Sequence, residues 1–293
     1  MNLFKIIDQL SEVDPDVLDR FDSRRSVFNS LGTAAKRTAL AATPLFLSGL
    51  FQKAYAGTQA TPLEVLQYAL ALELFEQDFY AKVKASPLYI TASAADKAAI
   101  DKIKQHEDSH VVLLSTAIRG LNGTPVTGVK FKQAVFSTLI TFKTGAPATS
   151  QLGIAQLLED TGVRAYKGRA GELLGTDLLT VALQIHSVEG RHAAKIRDMR
   201  GQRAWVHPSD DLAAHPVYGA GVTAGSTPAG FGLAVPTYSG PSPIENNTTQ
   251  SGVSITTGLG TTYTAADAAA SFDEFLQVAE VLDNSRAGGL IGA

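Results

Sequence analysis

Cysteine is absent from the 293 residues, and there are only one tryptophan and two methionines. Without thiols the chain can have no disulfide framework, no zinc–cysteine site and no thiolate nucleophile. Charge is sparse too, at 18% of residues, and nearly balanced: 25 Lys and Arg face 28 Asp and Glu, for a formal charge of -3. No basic stripe with interleaved aromatics occurs, which argues against nucleic acid as a partner. The uncharged apolar segment near the N-terminus, Thr38 to Gln52, is 15 residues long, against the roughly 20 that a helix needs to cross a bilayer. No stable membrane span is expected. What the chain does have is 45% hydrophobic residues, enough for a substantial core in one or two domains.

The first 56 residues have their own pattern. SRRSVF at 23–28 precedes the Thr38–Gln52 segment, and Ala54-Tyr55-Ala56 precedes Gly57. Paired Arg24 and Arg25, a modest apolar region and an A-x-A site resemble a twin-arginine export signal. The expectation is a leader over 1–56, cleavage after Ala56, and a periplasmic or cell-envelope location. The alternative is two solvated arginines before a buried helix.

After Gly57 the periodicity predicts four long helices. The first opens at Thr61-Pro62-Leu63-Glu64, where Thr61 can cap, Pro62 suits the first position and Glu64 completes a capping box; it runs to about Val83. The second, from about Ser93 to Arg119, places Ile100, Ile103, Glu107, His110, Val111, Leu114 and Ile118 on one face. The third spans about Ser150–Leu174 and the fourth runs from Thr176 or Asp177 to about Gly201. Short gaps within each pair predict two antiparallel hairpins, and about thirty residues between them, Gly120 to Thr149, predict a crossover. Within it, Phe131–Phe142 is expected to form a short helix or strand.

One odd placement occurs four times on these apolar stripes. Glu73 in LALELFEQDFY is followed seven residues later by Tyr80, and Glu159 in QLLEDTGVRAY by Tyr166. QHEDSH carries Glu107 and His110, and VEGRH carries Glu189 and His192. The order is E-x6-Y, E-x-x-H, then both again. Residues at i and i+3 share a helix face, so each E-x-x-H offers one oxygen and one nitrogen toward the same point. Four carboxylates buried together would repel one another and lose hydration, a penalty that two divalent cations remove. A single E-x-x-H is usually a solvated pair; two of them, each preceded by E-x6-Y, are the pattern of a di-metal bundle.

These motifs resemble the ferritin-like superfamily over about residues 61–200, in the broad pattern of bacterioferritin and rubrerythrin. ENNTTQSGV at 245–253 and SFDEFLQVAEVL at 271–282 add a weaker similarity to the ferritin-like proteins related to plant desiccation proteins. The resemblance implies an all-α four-helix bundle over 57–204, with Glu73, Glu107, His110, Glu159, Glu189 and His192 as ligands of two iron or manganese ions. It also implies Glu107 and Glu189 as bridges, and Tyr80 and Tyr166 as catalytic residues beside the ligands. The implied activity is that of an oxidoreductase acting on dioxygen or peroxide with an unidentified reductant, as ferroxidase, peroxidase or catalase-like scavenger. The alternative is a non-catalytic stress-associated protein of the same fold. A homo-oligomer is compatible with either, although the extra chain argues against a standard ferritin shell.

Three further side chains near the motifs have bland expectations: Glu76 on the surface, with replacement or support of Glu73 as the alternative; His106 facing solvent; and His186 as a core histidine, with contact to the site as the alternative. Tyr80 and Tyr166 could likewise be core residues with locally bonded hydroxyls. Beyond the bundle, only Glu245 is charged between Leu212 and Ala266. The Gly, Ser, Thr and Pro there predict irregular chain over 205–293 lying on the bundle, closed by a short helix over about 265–282.

Overall fold

The computed structural model describes residues 60–143, 149–221, 242–250, 252–258 and 263–292. The leader expected over 1–56 lies outside the described residues.

Four helices are set by the local chemistry of their ends. Helix α1 (Pro62–Ala85) is capped by Thr61, whose hydroxyl accepts from the Glu64 N–H while Glu64 accepts from the Thr61 N–H at 2.6 Å. This reciprocal arrangement satisfies two donors that a helix start leaves without partners. Helix α2 (Ala94–Gly120) is capped by Ser93, which accepts from Asp96 N–H at 3.1 Å. Helix α3 (Gln151–Arg169) is capped by Ser150 and tightens into a 3-10 turn at Ala170–Leu173. Helix α4 (Leu178–Met199) starts at Asp177 without a side-chain cap. The chain leaves α4 through Gly201 at φ 73°, a left-handed conformation that glycine adopts without steric cost.

Helix α1 packs on α2 and α3 on α4, giving two hairpins, and the crossover between them carries both kinds of element. Lys130–Phe131 pairs antiparallel with Ile291–Gly292 near the far end of the chain, and Gln133–Phe136 makes one helical turn. Phe131 stacks on Phe75 at 5.4 Å between ring centroids and lies 5.0 Å from Phe79, pinning the crossover to α1. Among the described residues, no helix is long and apolar enough to cross a membrane.

Helix α3 is not a half-exposed surface helix: every residue from Gln151 to Tyr166 is buried. Two sides face the bundle, and the chain after α4 covers the rest. The anchor is Arg164, 1% exposed, whose guanidinium donates to the carbonyls of Glu274 and Pro243, both at 2.9 Å, and pairs with the Glu245 carboxylate at 3.0 Å. A buried arginine is tolerated only when its donors find such partners. Leu276 N–H in turn donates to the Arg164 carbonyl at 3.1 Å.

This docking corrects the expectation of one closing helix over about 265–282. The chain forms a helix at Ala265–Ser271 and a single turn at Val278–Val281, with Phe272 extended between them. The carbonyls of Glu274 and Phe275 are engaged by Arg164, and the Leu276 N–H by the α3 backbone, so these groups are not free to close a helical turn.

Candidate metal centre

The 3.6-residue period brings the six sequence-predicted ligand residues into the interior from four helices. Glu73 comes from α1, Glu107 and His110 from α2, Glu159 from α3, and Glu189 and His192 from α4; all six are buried. They fall into two groups, Glu73–Glu107–His110–Glu189 and Glu107–Glu159–Glu189–His192. Within each group one donor atom per residue lies within 4.8 Å of every other. Glu107 and Glu189 belong to both.

The geometry repeats across the two halves. His110 Nδ1 is 3.0 Å from Glu73 Oε2 and 3.1 Å from Glu107 Oε2; His192 Nδ1 is 2.9 Å from Glu107 Oε1 and 3.1 Å from Glu159 Oε2. The tyrosines cross between hairpins. Tyr80 of α1 donates its hydroxyl to Glu159 of α3, and Tyr166 of α3 donates to Glu73 of α1 at 2.5 Å. Each outer carboxylate is therefore oriented by a phenol from the opposite hairpin.

Glu189 shows that the cluster is incomplete as a purely protein network. It is fully buried, yet neither carboxylate oxygen accepts a hydrogen bond, and the nearest cationic atom, His110 Nδ1, is 3.5 Å away. A buried carboxylate without partners is costly and needs an explanation such as a cation. Gly162, one turn after Glu159, keeps room for the Glu189 carboxylate: a Cβ there would sit 2.9 Å from Glu189 Oε2. Four carboxylates and two imidazoles in overlapping groups are a donor set suited to divalent iron or manganese. The residues fit such ions.

The electrostatics express the same frustration. Burial pushes the Glu73 carboxyl up to about 8, and burial with the neighbouring carboxylates pushes Glu189 well above its ordinary value. Burial would raise Glu107 as well, but hydrogen bonds from His110 and His192 hold it at about 2. Both imidazoles resist the effect of burial and rise to about 10 because carboxylates face them. In the absence of a cation, protons hold the cluster together.

Two expectations next to the site are corrected. Glu76 is 4% exposed, not on the surface: it lies one turn along from Glu73, and burial and the charges of Glu159, Glu107 and Glu73 push its carboxyl up strongly. His106 is half-buried, not solvent-facing; its Nδ1 lies 2.9 Å from His192 Nε2 and the two rings are nearly parallel. Both were legible as helix neighbours, Glu76 three residues after Glu73 and His106 four before His110. His186 is half-buried and belongs to neither donor group.

No curated protein sequence matches the chain. The family model of the ferritin-like domain matches residues 61–202, the span from the cap of α1 to just past the end of α4. The fold, the order of the motifs and this match agree: residues 61–202 form a ferritin-like domain.

Proposed function

We propose that the protein is a di-metal oxidoreductase of the ferritin-like type, acting on dioxygen or peroxide. The observation that supports this reading is the sharing of Glu107 and Glu189 between two complete donor groups in a buried site. In this reading Glu73 and His110 would hold one ion and Glu159 and His192 the other, with Glu107 and Glu189 available to both donor groups. Iron or manganese bound there would supply one-electron redox chemistry toward oxygen species.

The chain's own groups then do the rest. Tyr80 and Tyr166 orient the outer carboxylates through their hydroxyl hydrogens, and each holds a proton at Oη within reach of the site. Gly162 leaves room beside Glu189. The aromatic and aliphatic packing of Phe75, Phe79 and Leu158 excludes bulk water, which strengthens every electrostatic contact inside. Export through the twin-arginine route would deliver the protein folded, with its ions already chosen before it meets tighter-binding copper. Replacing Arg24 and Arg25 by Lys should then leave full-length protein in the cytoplasm.

The decisive experiment pairs metal content with turnover. Wild type should carry two iron or manganese ions per chain and consume oxygen or peroxide with a supplied reductant. Glu107→Ala and Glu189→Ala should lose both properties, whereas Tyr80→Phe should keep both metals and change only rate. Wild type with two ions and no consumption of either oxidant would leave the non-catalytic alternative standing.

A further inference from the structure

The two halves of the site are not equivalent, and one of the differences is the residue that stands before each E-x-x-H glutamate. Both α2 and α4 carry E-x-x-H, but His106 precedes Glu107 where Val188 precedes Glu189. The His106 ring lies against that of His192, with centroids 5.2 Å apart and planes 12° from parallel, and its Nδ1 is 2.9 Å from His192 Nε2. His192 thus has both ring nitrogens engaged: Nδ1 faces Glu107 Oε1 and Glu159 Oε2, and Nε2 faces His106. The polar contacts of His110 are all made through Nδ1.

We propose, on the basis of the di-metal reading above, that His106 is a positioning residue. It accepts a hydrogen bond at Nδ1 from His192 Nε2–H, commits His192 Nδ1 to metal, and makes the ion held by Glu159 and His192 the tighter of the two. A neutral imidazole carries a single N–H, and the nitrogen that takes a metal must be the bare one. An acceptor at Nε2 fixes the proton there, leaving the Nδ1 lone pair aimed at the carboxylates. It also raises the basicity of the ring and restricts its rotation. For His110 the position on α4 that matches His106 is Val188, which offers no hydrogen-bond acceptor in its side chain, so the tautomer of His110 is not selected in this way. Loss of such an outer partner typically costs about 10–100-fold in metal affinity.

The test uses Zn(II) as a diamagnetic probe on the metal-free full chain. Competition titration should give two ions per chain for wild type. His106→Leu should raise the dissociation constant of one ion by about 10–100-fold and leave the other unchanged. His106→Asn, whose amide oxygen can stand where Nδ1 stood, should restore most of the loss. In the zinc-loaded protein, two-bond 1H–15N spectra should place the protons of His192 and His106 on Nε2 in both rings. A His106 proton on Nδ1, equal weakening of both ions in His106→Leu, or no weakening of either, would overturn the assignment while leaving the di-metal reading intact. Wild type that binds fewer than two zinc ions would remove both.

Discussion

Glu76 is where a single side chain says most about the site. It is buried beside the cluster, and its carboxyl is raised well above the ordinary range by burial first and by Glu159, Glu107 and Glu73 next. A raised folded-state value means that the proton is held more tightly folded than unfolded. The stability it contributes is full in acid and declines as pH rises above the unfolded value of 4.5. Glu76→Gln copies the protonated acid in shape and cannot ionise. Metal-free Glu76→Gln should therefore match wild type at acid pH and melt higher than wild type in alkali, as checked by thermal unfolding in EDTA across pH. The sequence contains the reason for its burial, since 73 and 76 stand as far apart as 107 and 110. It was hidden because two carboxylates one turn apart on the same helix usually put one of them in water. His106 was hidden in the same way: the spacing to His110 was readable, but its contact with His192 depends on how α2 meets α4, which no local pattern encodes.

Among the elements, α3 departs furthest from a helix read in isolation. The starts, lengths and facing stripes of all four helices were legible because they follow from Ser, Thr and Gly placement and from apolar spacing. The full burial of α3 was not, because the chain that docks on Arg164 lies 53 to 111 residues further along the sequence. Gly168 shows how close that approach is: a Cβ there would meet the Leu276 carbonyl oxygen at 2.0 Å. Gly168→Ala gains intrinsic helix propensity yet must push the Phe272–Gln277 segment off the helix. The clash should dominate, lowering stability by about 1–3 kcal/mol. Limited proteolysis should then cut within 272–277 in the variant but not in wild type. If the variant is instead stabilised, the helix–extension contact is looser than the structure describes. The same contact explains the broken closing helix: SFDEFLQVAEVL has helical spacing, and docking to Arg164 overrides it.

For the molecule as a whole, the cluster makes metal-free stability a function of pH. Glu73 at about 8, the raised Glu159 and Glu189, and His110 and His192 at about 10 all bind protons more tightly folded than unfolded. Their contribution is complete below about pH 4.5 and falls as pH passes through about 8 and then about 10. Glu107, at about 2, has the opposite sign, but its effect lies in acid below its unfolded value of 4.5. The metal-free protein should thus lose melting temperature between neutral pH and about pH 9. Ions replace those protons, so the gap between metal-loaded and metal-free midpoints should widen over the same range. A gap that narrows as pH rises would contradict the burial of these six groups in one site.

The crossed phenols carry one more consequence. Because Tyr80 serves the carboxylate of the second hairpin and Tyr166 that of the first, neither hairpin contains a finished half of the centre. Each is a donor to the other, and the shared Glu107 and Glu189 repeat that exchange at the middle. Cut within the crossover and expressed as two polypeptides, 57–143 and 149–293, neither fragment should take up metal alone. Mixed, they should recover the site together or not at all, as two pieces of one lock rather than two small locks side by side.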